Sequence, residues 1–330
     1  MNRQVDARWD SLDLAEGFLL AQAVAALHDL GVLQSLGDYA TAEQLAARFG
    51  LDVGMLQPVL LYVAGRTDLV EQRDAEFRMT GRYDADSRFL LDQYVCAYGP
   101  TARDLVNSLR HPEQARSTVD ADRHARAFEN AYSPGVSVLA DCVAQLELNR
   151  VIDLGCGPGS LLIELGRRKP EFVGWGMDAN PRMCATARAR VAAAGLAGRI
   201  GIIEGDCTDL ENSLPAAIRH RVEAVTGASL LNEFFRCGAA DAVSWLRCLR
   251  ELLPGRALLV SDYYGRLGRR EPPWPRRTVL HDFVQVISGQ GVPPADREGW
   301  AEIYSAAGCT LAHVAEDESA TWFIHILRLG

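Results

Sequence analysis

Apolar residues recur at three- and four-residue steps from 9 to 30. Leu12, Ala15, Leu19, Ala23, Ala26 and Leu30 mark a helix that Gly31 stops. In the next run, YATAEQLAARFGLDVGMLQPVLLYVAGRTDLV, Thr41 and Gln44 fit a capping box opening a short helix that ends near Gly50. A further helix runs from about Asp52 to Ala64, and DLVEQ and EFRMT form a small hairpin across Arg73 to Ala75. Helices followed by a hairpin give a winged-helix-like order. Residues 81 to 149 read as mainly helical, with breaks at Gly99-Pro100, His111-Pro112 and Pro134-Gly135.

From Arg150 the pattern changes. Short apolar runs (VIDLG, FVGWGMD, IGIIEGD, VEAVTG, ALLVSDY) alternate with the helical stretches SLLIELGRR, PRMCATARARVAAAG, LPAAIRH and AADAVSWLRCLRELL. Such alternation predicts a parallel sheet covered by helices on both faces. CTLAHVAED and TWFIHILRL complete the pattern as an antiparallel hairpin at the sheet edge. Between them and ALLVSDY lies TVLHDFVQVISGQGVP, Thr278 to Pro293. There Leu280, Phe283, Val284 and Ile287 predict a buried helical stripe, with His281, Gln285 and Ser288 on a neighbouring face and Gly289 as the stop. Asp282 stands about 100 degrees around the helix from His281, so adjacency alone makes no acid–base pair.

A length of 330 residues suits two domains. The boundaries fall at 1–80, a winged-helix-like dimerisation domain, at 81–149, a helical linker that covers the substrate, and at 150–330, the β-α domain. The net charge of -9, with no basic and aromatic run, argues against a nucleic-acid partner. The helix from 52 to 64 carries no Lys or Arg to meet phosphates. FLLAQAVAALHDLGVL is interrupted by Gln22, His28 and Asp29 and is too short to span a bilayer, so no membrane partner is expected. The N-terminus lacks a basic segment followed by an apolar core, and the 8 cysteines are scattered without a C-x-x-C pair. Both features predict a cytoplasmic protein with reduced thiols.

The strongest local signal is VIDLGCGPGS. An apolar strand runs into Gly155, Gly157 and Gly159 and then into a helix, so the backbone can turn and approach a ligand closely. Asp153 lies within the strand. Asp178 ends the next strand and Asp206 the one after. A carboxylate at the Asp178 position can accept from both hydroxyls of a ribose, and one at Asp206 can take an adenine amino group. The bland alternative for such acids is capping of the following helix.

VIDLGCGPG, GWGMDANP and GDCTD resemble the motifs of class I S-adenosylmethionine-dependent methyltransferases. The resemblance implies a Rossmann-like domain with seven strands in the order 3-2-1-4-5-7-6, the seventh antiparallel. It places the methionine part of S-adenosylmethionine on Gly155, Cys156, Gly157 and Gly159, with Asp153 shaping the loop. It places the ribose on Asp178, with Ala179 beside it, and the adenine region on Asp206 and Cys207. A helical N-terminal part before such a domain looks like the small-molecule methyltransferases of secondary metabolism, which implies a small-molecule substrate and a homodimer.

In the plant-type and bacterial O-methyltransferases a histidine base stands in a segment such as L-H-D/N-W. This chain has ASLLNEFFRCG there, with Asn232 and Glu233 as the candidate catalytic residues in its place. VLHDFVQVISGQG resembles, more loosely, a region of the 2-oxo acid C-methyltransferases, one of which is a non-haem iron protein. That resemblance implies a non-haem iron or other divalent metal with His281 as a ligand, and His313 is the candidate for a second ligand. The residues themselves leave His281 open as a base, a metal ligand or a plain helix-face histidine. The leading expectation is C-methylation of a 2-oxo acid at its β-carbon. The alternatives are O- or N-methylation of an aromatic or amino-acid-like metabolite, and an S-adenosylmethionine-sensing DNA-binding regulator.

Overall fold

The apolar runs after 150 form the strands of one mixed sheet. The computed structural model describes residues 9–129, 134–269, 275–317 and 322–330. Strands are numbered from the N-terminus: β1 (Ala40–Thr41), β2 (Val70–Arg73), β3 (Glu76–Met79), β4 (Arg150–Leu154), β5 (Val173–Asp178), β6 (Ile200–Glu204), β7 (Ala224–Ala228), β8 (Ala257–Tyr263), β9 (Thr310–Asp317) and β10 (Trp322–Arg328). Thr321, expected in the last strand, lies outside the described residues. Among the described residues the large sheet has the order β6-β5-β4-β7-β8-β10-β9. The first five strands pair in parallel, and β10 runs antiparallel between β8 and β9. This is the strand order expected of the class I fold. One apolar core lies around Ile152, Leu154, Leu258, Trp300 and Phe323, and another around Val151, Leu162, Leu165 and Leu259.

The chain divides into two compact units between Gly99 and Pro100. The segment read as a linker, 81–149, is shared between them rather than forming a third body.

In the first unit the expected order of helices and hairpin is present. Thr41 caps helix Ala42–Phe49, and Gln44 returns the bond to the Thr41 backbone. Hairpin strands β2 and β3 meet through Arg73 and Glu76, and β1 joins β3 to make a three-stranded sheet. In the first helix, Ser11–Asp29, the residues that mark the helical step are not all the buried ones. Leu12 and Leu19 are 74% and 59% exposed, and the buried residues are Val24, Ala25 and Leu27. This helix is apolar all round, so periodicity alone does not choose a face.

In the second unit, helix Arg276–Ile287 departs from the buried stripe expected of it. Val284 and Ile287 are buried, but Leu280 and Phe283 are each 42% exposed. The polar positions Asp282, Gln285 and Ser288 are the ones turned inward. Asp282 is fully buried because its Oδ2 accepts the backbone N–H groups of Arg266 and Leu267, which tie the chain after β8 to this helix. The turn after the helix is fastened too. The Gln290 carbonyl accepts from Phe235 N at 2.9 Å, joining the turn to the segment after β7.

Gly291 makes that second fastening sterically possible. Its φ is +85°, and a Cβ there would collide with the Phe235 carbonyl. Gly291→Ala is expected to cost about 2 kcal/mol or more, since backbone strain and a clash add. Gly268→Ala is the control, because Gly268 has φ +80° but nothing within 4 Å of a Cβ. Thermal melting should show the larger drop for Gly291→Ala; equal shifts would contradict the steric account.

Candidate active site

The carboxyl edge of β4, β5 and β6 builds the first half of the site. After β4 the chain passes through Gly155, Gly157 and Gly159 with φ of 66°, 51° and 73°, into helix Ser160–Arg168. A Cβ on Gly157 would meet nothing within 4 Å, so the loop faces open space. Cys156 turns inward, where a Cβ on Gly176 would lie 2.6 Å from its sulfur. Asp178 holds the loop in this shape: its Oδ2 accepts from Gly157 N and its Oδ1 from Asn180 N, each at 2.9 Å. Asp153 is buried on β4, and its Oδ1 accepts from the Thr226 hydroxyl at 2.7 Å.

A buried carboxyl group, Asp153, and a half-buried one, Asp178, therefore lie close under one loop. Burial pushes Asp153 up to about 7, and the Asp178 charge adds to the rise. Burial also raises Asp178, against the N–H groups of Asn180 and Gly157. A cationic ligand relieves such a pair. S-adenosylmethionine carries a sulfonium and an ammonium group, so the open glycine loop and the acidic floor both fit it. When bound it supplies an activated methyl group.

The remaining residues expected around the cofactor divide. Cys207 is buried, its carbonyl accepts from Trp245 Nε1 at 2.7 Å, and burial pushes its thiol up to about 12. Asp206 is exposed, and its Oδ1 caps Thr208 N at 2.8 Å, which is the capping alternative. Ala179 is exposed beside Asp178.

The second half lies beyond β7 and β8. Asn232 and Glu233 sit in the short helix Leu231–Phe234. This segment adjoins the glycine loop, since a Cβ on Gly155 would lie 3.6 Å from Leu230. Asn232 is 1% exposed, and Glu233 is half-buried. The backbone N–H of Asn232 donates to Asp262 Oδ2 at 3.0 Å, and Tyr263 N donates to Asp262 Oδ1 at 3.0 Å. Asp262 is itself buried, and burial pushes it up to about 7. Sequence reasoning missed Asp262 and Tyr263 as site residues. The signal was an acid closing the otherwise apolar strand ALLVSDY.

His281 stands against the Tyr263 ring, centroid to centroid 5.0 Å, and its Nε2 meets Gln285 Nε2 at 3.2 Å. Burial, aided by the charges of Arg277 and His124, lowers its pKa to about 4. It is thus neutral near pH 7, and Asp282 is committed to the backbone of Arg266 and Leu267. His313 lies elsewhere, exposed on edge strand β9 opposite Ile326. Among the described residues no group of three or more His, Cys, Asp or Glu could hold a metal ion, so the pairing of His281 with His313 as ligands finds no support. His325 is fully buried, between the hydroxyls of Tyr304 at 2.9 Å and Tyr264 at 3.2 Å. No helix among the described residues is long and apolar enough to cross a membrane.

Residues 151–249 match the family model described as a methyltransferase domain. The chain is 28% identical over 278 residues to a 3-hydroxy-5-methyl-1-naphthoate 3-O-methyltransferase of Streptomyces sahachiroi, covering 76% of this chain and 75% of that protein. It is 34% identical over 181 residues to a trans-aconitate 2-methyltransferase of Mycobacterium sp. (strain KMS), covering 54% of this chain and 63% of that one. Among solved structures, the mitomycin 7-O-methyltransferase MmcR has the same fold, with a TM-score of 0.74, 18% identity and 96% of each chain covered. Fold and site together define the class I methyltransferase architecture. The chain contains a methyltransferase domain and is an S-adenosylmethionine-dependent methyltransferase.

Two outcomes follow from the acidic floor. Asp178→Ala should weaken S-adenosylmethionine binding by tenfold or more in calorimetry, because the loop loses its anchor; unchanged affinity would remove Asp178 from the cofactor site. The second concerns pH. Asp153 keeps in the folded state a proton that the unfolded chain releases from about pH 4. Its contribution to stability therefore falls as pH rises from about 4 to about 7 and is level above that. Asp153→Asn keeps an acceptor for Thr226 and has no such slope. In denaturant titrations without cofactor, the variant should gain on the wild type between pH 5 and 8; a constant difference would refute the assignment.

Proposed function

We propose that this enzyme transfers the methyl group to an oxygen of a small aromatic or carboxylate-bearing metabolite. The observation that carries this reading is Asn232, buried beside the glycine loop with its backbone held by Asp262. It occupies the segment in which the O-methyltransferase resemblance leads one to look for a histidine base. An amide takes no proton, so the rate rests on placement of the acceptor and exclusion of water. His281 does not replace the missing base by ionising a phenol beforehand. Proton transfer from a group of pKa ~10 to an imidazole near 4 is uphill by about 8 kcal/mol. The hydroxyl proton instead becomes acidic as the oxygen–carbon bond forms, and Glu233 or water can then receive it.

The similarity to a naphthoate 3-O-methyltransferase and to trans-aconitate methyltransferases supports oxygen as the acceptor atom over the β-carbon of a 2-oxo acid. C-methylation would require removal of a weakly acidic carbon-bound proton, and the weakly basic His281 is poorly suited to that. Nitrogen is the second reading, because the Asn232 amide oxygen can accept from N–H as well as from O–H. The exposed Leu12, Leu14, Phe18 and Leu19 of helix Ser11–Asp29 support a homodimer within this proposal.

The test is a methyl-transfer screen over hydroxylated aromatic acids, aliphatic polycarboxylates, amines and 2-oxo acids, with the product atom assigned by NMR. Methyl ethers or esters are expected, and Asn232→Ala should lower kcat about 10- to 100-fold with cofactor affinity retained. Exclusive β-carbon methylation would overturn the reading.

A further inference from the structure

The acceptor half of the site is a closed circuit of contacts. Asn232 is tied to Asp262, and Asp262 caps its neighbour Tyr263. The Tyr263 ring meets His281, and His281 meets Gln285. The Gln285 carbonyl accepts from Gln290 N at 2.8 Å, and the Gln290 carbonyl accepts from Phe235 N, three residues from Asn232. Two side-chain amide oxygens in this circuit are buried and accept no hydrogen bond among the described residues. They are Asn232 Oδ1 and Gln285 Oε1, on residues 1% and 3% exposed. The Tyr263 hydroxyl, also buried, interacts with the Asp282 carboxyl and is not counted with them. A buried carbonyl oxygen without a donor is costly, and native proteins rarely leave one so without a ligand or a water to fill it.

We propose that Asn232 Oδ1 and Gln285 Oε1 are the paired hydrogen-bond acceptors that select the substrate, which therefore presents two donors. One is the hydroxyl that receives the methyl group, held by Asn232. The other is a second O–H or N–H on the same molecule, held by Gln285. Among the aromatic metabolites of the proposed function, the substrate class is thus a hydroxy-aromatic compound bearing a further hydroxyl or amine. Gln285 is a specificity-determining residue, while its amide nitrogen keeps His281 in place. The proposal rests on the oxygen-transfer reading for Asn232, but the Gln285 part stands on binding alone.

The experiment compares two acceptors, a dihydroxylated aromatic acid and the same acid lacking the second hydroxyl, on wild type and Gln285→Leu. The variant should lose about tenfold in kcat/KM on the dihydroxylated acid, through KM, and little on the other. Gln285→Glu keeps acceptor oxygens at this position and should retain the wild-type preference, which also covers a leucine variant that fails to fold. Equal losses on both acids would make Gln285 purely structural and overturn the proposal; so would no loss on either. Calorimetry of the same two acids against the protein saturated with demethylated cofactor keeps the two readings apart. If the methyl group lands on carbon, the function reading falls, while a Gln285-dependent binding preference still upholds the selection by Gln285. If methylation is on oxygen and that preference is missing, only the selection falls.

Discussion

The carboxyl group of Asp262 is the constraint on which the acceptor half of the site depends. It sits at the end of β8, buried, and spends one oxygen on the backbone of Asn232 and the other on that of Tyr263. Burying an acid is unfavourable, and two backbone N–H groups only partly repay it, which is why its pKa rises toward 7. The return is geometric. The segment after β7 has little regular structure of its own, and this buried group fixes its Asn232 end against the neighbouring strand, as the Gln290 carbonyl fixes Phe235.

The two halves of the site are built on opposite electrostatic plans. Under the cofactor loop, Asp178 stands close enough to raise the cost of ionising Asp153, burial raises both, and a cationic ligand lowers that cost. Across the gap, the acceptor side offers amides, an aromatic ring and a neutral imidazole. A positive donor is thus held by charge and a neutral acceptor by shape and hydrogen bonds.

Much of the fold was legible because its signals are local. Each strand from β4 to β8 is a short apolar run beside a glycine or acid turn, and the capping box at Thr41 and Gln44 involves only near neighbours. The glycine loop was legible for the same reason: its conformational demand is written in three residues. What was not legible was the choice of faces. Helix Ser11–Asp29 is apolar on every side, so a stripe drawn through Leu12 and Leu19 had no polar face to contrast with. In helix Arg276–Ile287 the burial of Asp282 depends on N–H groups of Arg266 and Leu267, 15 or more residues away. No helical periodicity contains that information. Asp262 was missed for a related reason: at the end of an apolar strand it reads as a turn residue until its partner Asn232, thirty residues earlier, is brought alongside.

The stretch from Thr278 to Pro293 shows how a polar edge becomes structural and functional together. Asp282 fastens it to the chain after β8, and Gln290 fastens it to the chain after β7. Between these two bolts the helix has little freedom to tilt, so His281 and Gln285 are presented at fixed positions. A site without a strong base gains its rate from such fixation, because a near-attack arrangement is worth more when the groups that define it cannot drift. The polar residues in this helix are therefore not a solvated edge. Asp282 and the backbone of the turn after the helix hold this wall in place, and in the proposed reading His281 and Gln285 are the residues it presents to the substrate.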